Sequence, residues 1–364
     1  MSKRYLIAGG GTGGHIFPAI AIANELKRQQ PGCDILFVGA RGKMEMEKVP
    51  QAGYRIEGLD IAGFNRSSLI KNITLPFKLV KSFLQVRTIL NTYSPDVVIG
   101  VGGYSTYPVL RLAQSKGIPT FIHEANSFAG KSNQLLGKKA LRIFTGTDGM
   151  ERFFDAGKIV VTGNPVRTAI SRSVVNREEA MSSFSLDPSK KTILVVGGSL
   201  GAKSINEAIA AGLNQLVGAD LQLIWQTGKP FAAAGKQAAA GSKQVWVNDF
   251  ITKMELAYAA ADIIVSRAGA MAIAEISLVA KPAIFVPYPF AAEDHQTSNA
   301  MNLVQKQAAM MVKDAQAKTS LVEEILKLAA DQERQKALIQ NIAPLGIANA
   351  DELVVNEILK STGQ

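Results

Sequence analysis

The chain has 364 residues, 47% hydrophobic and 19% charged, with a single cysteine and a formal net charge of +10. The lone Cys33 rules out an intrachain disulfide and a cysteine-built metal cluster, and no run of 18 uncharged apolar residues offers a membrane-spanning helix. The length suits two buried cores, and the charge is uneven: residues 1–163 carry 21 Lys and Arg against 11 Asp and Glu, residues 164–364 carry 19 against 19, so the N-terminal half is expected to meet something anionic.

The opening "MSKRYLIAGGG" passes from two basic residues straight into a short β-like run, which is not the pattern of a secretory signal, and a cytoplasmic setting is expected. Residues 7–18, "IAGGGTGGHIFP", then place five glycines, Thr12 and His15 directly behind the first strand. Small residues there permit a tight turn and bring backbone N–H groups close to phosphate oxygens at a helix N-terminus. After the helical "PAIAIANELKRQQ" comes the strand "DILFVG", whose tip "VGARG" has no acid. A dinucleotide fold needs an acidic residue there for the ribose hydroxyls, so NAD binding is set aside.

Nothing acidic occurs between Asp60 and Asp96. The stretch mixes Arg66, Lys71, Lys78, Lys81 and Arg87 with Ile70, Ile73, Leu75, Phe77, Leu79, Val80, Phe83 and Leu84. That composition fits a helix or helical hairpin on an anionic membrane surface, and equally an amphipathic helix packed on its own domain. Nucleic acid is disfavoured because no recognised binding motif accompanies the charge. The runs "DVVIGVGG", "PTFIHEA", "LRIFTG" and "KIVVTG" follow, with "YPVLRLAQSKG" as a helix among them. Near-continuous Val, Ile and Leu alternating with helices predicts a parallel sheet covered on both faces.

A polar, Ser-rich linker, "RTAISRSVVNREEAMSSFSLDPSKK", separates this from a restart at "KTILVVGGSLGAKSINEAIAAGLNQL", after which come "LQLIWQTG", "KQVWVNDF", "ADIIVSRAG" and "KPAIFVPYP". "IAGGGTGG" matches "VVGGSLGA" 188 residues on, each behind a strand and ahead of a helix. Two Rossmann-like α/β domains are expected, 1–164 and 165–344, with a final helix at about 345–364. "GGSLGAKS" lacks the glycine spacing of a Walker loop.

The three histidines, His15, His123 and His295, all fall at strand ends, where open α/β sheets place ligands. His15 is the natural base, since imidazole takes a proton near neutral pH; its bland alternative is to orient the glycine loop. Glu124 is the rival base, and Asn126 offers an amide suited to a sugar hydroxyl or acetamido group. "HE" lacks the spacing of a paired-imidazole metal site and no D-x-D pair exists, so neither a catalytic metal nor another cofactor is expected. In the second half, Gly197, Gly198, Ser199 and Gly201 form a second anion-cradling turn. Arg167 could reach a diphosphate, Glu275 could accept the hydroxyls of a ribose, and "DHQTSN" at 294–299 suits a second sugar.

Seven motifs in order, GGGTGGH-x-x-P, "GVGGYSTYP", "HEAN", "TGNPVR", "GGSLGA", "SRAGAMAIAE" and "DHQTSNA", make the chain resemble the MurG family of peptidoglycan N-acetylglucosaminyltransferases along essentially its whole length. The resemblance implies the GT-B fold, two Rossmann-like domains facing a cleft, and metal-free inverting transfer of N-acetylglucosamine from UDP-GlcNAc to lipid I, the undecaprenyl-pyrophosphate-linked MurNAc-pentapeptide. It implies catalysis by His15 or Glu124. Donor contacts implied are Thr12, Gly13, Gly14, Asn126, Arg167, Ser199, Phe250, Ile251, Ala270, Glu275 and Gln296, with the uracil at 250–251 and the ribose at Glu275. Acceptor contacts implied are Gly10, Gly11, Gly102, Gly103, Tyr104 and His123. A membrane-facing patch of Ile73, Leu75, Phe77, Lys78, Lys81 and Phe83 would hold the protein peripherally on the cytoplasmic face of the inner membrane, beside other cell-wall synthesis and division proteins. Two positions depart from the family: Ala125 stands where Gln is usual, and Lys131 where a less polar residue is common; both bear on acceptor contacts. The same two-domain fold also serves transferases with other acceptors, and epimerases that act on a nucleotide sugar without an acceptor; a UDP-sugar-binding regulatory protein is a third reading.

Overall fold

The computed structural model of the chain describes residues 2–61, 75–198 and 200–363. Ile73 and Ser199, both singled out above, lie outside the described residues, as do Arg66, Ile70 and Lys71.

The described residues fall into two compact units, Met1–Arg167 with Asn349–Gln364, and Thr168–Ala348. The strands of the first are β1 (Arg4–Ala8), β2 (Asp34–Ala40), β3 (Arg55–Leu59), β4 (Val97–Gly100), β5 (Thr120–Glu124), β6 (Arg142–Thr145) and β7 (Ile159–Val161). Its helices are α1 (Gly13–Gln29), α2 (Glu45–Gln51), α3 (Leu75–Tyr93), α4 (Thr106–Ser115) and α5 (Lys131–Gly137). The second unit has helices α6 (Thr168–Ser171), α7 (Arg177–Ser183), α8 (Lys203–Gly218), α9 (Ala232–Ala238), α10 (Met254–Ala260), α11 (Ala270–Val279), α12 (His295–Gln305), α13 (Ala317–Ala330) and α14 (Gln332–Ile342). Its strands are β8 (Thr192–Val196), β9 (Gln222–Gln226), β10 (Val245–Asn248), β11 (Ile263–Ser266), β12 (Ala283–Phe285) and β13 (Met310–Met311). The last helix, α15 (Ala350–Ser361), belongs to the first unit and packs on α1.

Both sheets are parallel throughout, in the orders β3-β2-β1-β4-β5-β6-β7 and β10-β9-β8-β11-β12-β13. Each apolar run named from the sequence contributes a strand. Two further strands escape such a reading for physical reasons: β3, "RIEGL", is an edge strand with only its last residue buried, and β13 is two methionines long. In β1 the period-two pattern sends Tyr5 and Ile7 to one face and Leu6 and Ala8 to the other, and all four are fully buried. The first face is closed by Ile16, Ile22 and Leu26 of α1 with Val354, Val355 and Ile358 of α15, the second by Val86 and Leu90 of α3 with Val109 and Leu110 of α4.

This topology fixes where ligands can bind. Strand order reverses between β1 and β4 in the first sheet and between β8 and β11 in the second, and an open α/β sheet leaves a crevice at that switch point, outside the carboxyl ends of the strands. The segment 9–12 leaves β1 there ahead of α1, and the described glycines Gly197, Gly198 and Gly201 follow β8 ahead of α8.

Strand β5 carries His123 and Glu124 to its carboxyl end. His123, expected among the acceptor contacts, is only 1% exposed and so cannot touch one directly. Neither ring nitrogen has a hydrogen-bond partner among the described residues, although the nearby Gly163 backbone favours the cation. Burial pushes the imidazole pKa down to about 4, with a further push from the neighbouring His15. A histidine held neutral in the fold but titrating near 6.5 in the unfolded chain makes the unfolded state the better proton binder between those values. Its contribution is therefore complete above about pH 6.5 and is lost as the pH falls toward 4, by about 2–3 kcal/mol at pH 4.5. Chemical denaturation of wild type and His123→Leu at pH 7 and pH 4.5 checks this: the variant should lose less stability on acidification by about that amount, and an identical loss in both would show that His123 is not the group responsible.

Candidate active site

In the first unit, the loop after β1 (Gly9–Thr12) and the loop after β4 (Val101–Ser105) lie side by side because their strands pair. They interlock through backbone. The Gly10 N–H donates to the Gly102 carbonyl at 3.1 Å, and Gly103, with φ at +94°, lies so close to the Gly10 carbonyl that any Cβ would collide with it. Only glycine satisfies both the left-handed backbone and the contact. Ser105 and Thr106 anchor the second loop, donating from their hydroxyls to the Val38 and Ala8 carbonyls at 3.1 and 3.0 Å. Gly10, Gly11, Gly102, Gly103 and Tyr104 are thereby gathered into one place, with the Tyr104 ring half exposed.

The expected amide cradle at Gly10 and Gly11 is corrected by the same bonds. The Gly10 amide is taken by Gly102, and the Gly11 amide donates to the Glu45 carboxylate at 2.8 Å. These two glycines shape the turn instead. The anion-seeking groups lie one step on, at Gly13 and Gly14, whose N–H groups open the 17-residue α1 ahead of any intrahelical acceptor; Thr12 at the N-cap supplies no side-chain cap. Arg167 adds positive charge there, its guanidinium 5.8 Å from the centre of the Phe17 ring in the second turn of α1.

His15 sits in the first turn of α1 with Nδ1 3.0 Å from the Gly10 carbonyl and 3.4 Å from the Thr12 hydroxyl. A carbonyl can only accept, so Nδ1 carries a proton and, in the neutral ring, the lone pair is on Nε2. The Nε2 edge lies over Gly102, where a Cβ would come within 2.7 Å of it. This is the tautomer a base requires.

Glu124 has a different employment. Its buried carboxylate accepts from the Asn126 backbone N–H at 3.1 Å and side-chain amide at 3.3 Å, from the Gly130 N–H at 3.2 Å and from the Asn133 amide at 2.8 Å. Both oxygens are occupied in bracing the β5–α5 loop that presents Asn126, and taking a substrate proton would cost those bonds. The geometry favours His15 over Glu124 as base.

The expected membrane face is only partly as drawn. On α3, Ser82, Val86 and Leu90 face inward, while Phe77 (77% exposed), Val80 and Leu84 form an outward stripe beside Lys78. Leu75 is half-buried. Phe83 turns inward and meets the Tyr107 ring edge-on at 6.4 Å, so it is not part of the stripe. Lys81 is paired with Asp60 at 2.7 Å, and this pair holds the Asp60 carboxyl below its ordinary range. None of the helices among the described residues is long and apolar enough to cross a membrane.

In the second unit the turn after β8 closes through the Gly201 N–H to the Gly198 carbonyl at 3.0 Å, just ahead of α8. Gln226, which no sequence motif singled out, donates to the Gly198 carbonyl at 3.0 Å and accepts from the Ile251 N–H at 2.8 Å. It joins the glycine turn to the segment expected to meet uracil. The Ile251 amide is consequently committed, while the Phe250 side chain is half exposed. Glu275, mostly buried on α11, accepts from the Tyr258 hydroxyl at 2.9 Å, and Ala270 opens the same helix behind Gly269. Arg267, in the loop between β11 and α11, reaches Asp314, the Ser204 hydroxyl at the start of α8 and the Val286 and Pro287 carbonyls, and lies 5.6 Å from the Tyr288 ring centre. Gln296 accepts from the Tyr288 N–H at 2.9 Å, and His295 is half-buried with Nδ1 2.7 Å from the Ala292 carbonyl.

Residues 5–145 match the Glycosyltransferase family 28 N-terminal domain and residues 192–354 the Glycosyltransferase family 28 C-terminal domain. The chain is 51% identical over 360 residues to a protein of Phocaeicola vulgatus named UDP-N-acetylglucosamine--N-acetylmuramyl-(pentapeptide) pyrophosphoryl-undecaprenol N-acetylglucosamine transferase, covering 98% of this chain and 96% of that one. A protein of the same name from Parabacteroides distasonis is 49% identical over 359 residues, covering 98% of each. The crystal structure of Acinetobacter baumannii MurG superposes with a TM-score of 0.79 at 28% identity, over 98% of this chain and 99% of that one. With both family 28 domains in order and relatives of about half identity along nearly its whole length, this chain belongs to glycosyltransferase family 28 as a member of the MurG family, and has its GT-B fold.

Proposed function

We propose that the protein transfers N-acetylglucosamine from UDP-GlcNAc to the C4 hydroxyl of the MurNAc unit of lipid I, giving lipid II and UDP with inversion at the sugar carbon. The observation that carries this reading is His15, held with its lone pair on Nε2 beside an anion-seeking helix start, in a chain about half identical to transferases of that name. The first unit holds the acceptor: the Gly13 and Gly14 amides meet diphosphate charge, His15 takes the proton of the attacking hydroxyl, and Arg167 is kept for the diphosphate of the donor. Asn126, fixed by Glu124, orients a sugar amide or hydroxyl. The second unit holds the donor. Its ribose is bound by Glu275, its uracil by the segment at Phe250, its diphosphate by the turn at 197–202, and its sugar by Ala270 and Gln296. Attack from the face opposite UDP makes the displacement a single step, and the negative charge growing on the leaving diphosphate is stabilised by preorganised amides and a guanidinium.

The lipid-linked acceptor explains the outward stripe on α3. Phe77, Val80 and Leu84 beside Lys78 form an apolar face with a basic flank, the composition that binds an anionic bilayer surface, and the protein is accordingly proposed to sit peripherally on the cytoplasmic face of the inner membrane.

Two measurements test these assignments. His15→Ala should lower kcat by at least about 10²-fold while the KM for UDP-GlcNAc stays nearly unchanged, and the acidic limb of the pH–rate profile should vanish. Retention of that limb with a small rate loss would move the base to Glu124. For the membrane face, the Phe77→Ser, Leu84→Ser double variant should bind vesicles containing anionic lipid about 10-fold more weakly, with binding of both proteins falling as salt is raised. Its activity on a soluble short-chain acceptor should be unaltered; equal vesicle binding by wild type and variant would remove the stripe from the account.

A further inference from the structure

Glu45 lies in a segment, "RGKMEMEKVP", that no motif marks, yet it is 1% exposed and reaches the functional loop. One carboxylate oxygen accepts from the Gly11 N–H at 2.8 Å and the other from the Ala40 N–H at 2.9 Å, so the acid pins the turn after β1 to the end of β2. Two glycines make room for it. A Cβ on Gly10 would run into the Glu45 carboxyl, and a Cβ on Gly39 would strike its Cγ. The Gly10 carbonyl flanked by this contact is the one that receives His15 Nδ1.

We infer that Glu45 is a positioning residue for the acceptor: by fixing the Gly11 amide it sets the direction of the peptide groups from Gly10 to Thr12, and through them the aim of His15 and of the first amides of α1. This deepens the proposed function and rests on it. A buried carboxylate kept close to an anion-seeking helix start is electrostatically unfavourable for an anion there, so mere tolerance is a poor reason for its presence. What it supplies is two acceptor oxygens facing two backbone donors, which no neutral side chain of the same size offers.

The test is steady-state kinetics of the full chain with UDP-GlcNAc and a soluble lipid I analogue, each substrate varied in turn. Glutamine presents one acceptor oxygen and an amide that faces the remaining N–H donor to donor, so Glu45→Gln should lower kcat/KM for the acceptor by at least about 10-fold, with the KM for UDP-GlcNAc within about twofold of wild type. Gly39→Ala displaces the same carboxylate from the strand side without touching the glycine turn, and should reproduce the split even where Glu45→Gln folds poorly. Glu25→Gln is the comparison for a purely structural acid: Glu25 is 3% exposed on α1 and bonded to Arg28 and Gln29, so its loss should lower thermal stability with no preference between substrates. Wild-type acceptor kinetics in Glu45→Gln would overturn the inference, as would a lowered acceptor KM, or losses for both substrates that merely track stability. If wild type itself makes no product from the analogue, the proposed function fails, which is a distinct result.

Discussion

The backbone of one residue, Gly10, organises the first half of the site. The N–H of Gly10 is given to the Gly102 carbonyl, its own carbonyl receives the Nδ1 proton of His15, and Gly103 packs directly upon it. A backbone carbonyl cannot donate, so the imidazole facing it has no choice of tautomer, and the nitrogen directed over the β4 loop is the basic one. The glycines therefore do less phosphate binding than their number suggests. They let two loops approach to backbone contact, and Glu45 and Gly102 consume the amides that a phosphate would otherwise meet.

The second unit repeats the topology with different chemistry. Its turn after β8 also stands at a switch point ahead of a helix, but the side chain that secures it is Gln226, which shares its amide between the Gly198 carbonyl and the Ile251 N–H. Arg267 does comparable work between the starts of α8 and α11, its two terminal nitrogens reaching a carboxylate, a hydroxyl and two carbonyls. In both units a buried polar side chain from a neighbouring element ties down the glycine turn, Glu45 by accepting from the Gly11 amide and Gln226 by donating to the Gly198 carbonyl.

The fold was legible because burial on both faces forces continuous Val and Ile runs, as in β1, β4, β8 and β11, and because a helix must follow each in a parallel sheet. β3 and β13 were not, since a half-exposed "RIEGL" and a methionine pair carry no such signature. Of the site, His15 and the glycine turns could be read from their place behind strands. Glu45 and Gln226 could not, because their importance lies in contacts across 34 and 28 residues of sequence that no local pattern records. His123 and Phe83 show the reverse error. A histidine at a strand end and a phenylalanine in a basic helix look exposed in a sequence, and each is placed by the register of its element, one inside β5 and one against α4.

The central claim is that the Gly10 carbonyl fixes His15 as a base poised through Nε2. Nitrogen-15 NMR of the imidazole-labelled protein in its resting state at pH 7.5, with His15 assigned by comparison with His15→Gln, reads this directly. The account predicts a protonated Nδ1 and an unprotonated, lone-pair Nε2 for His15. A neutral ring with its proton on Nε2 would contradict it, because that tautomer could neither donate to Gly10 nor accept a substrate proton from the side of Gly102.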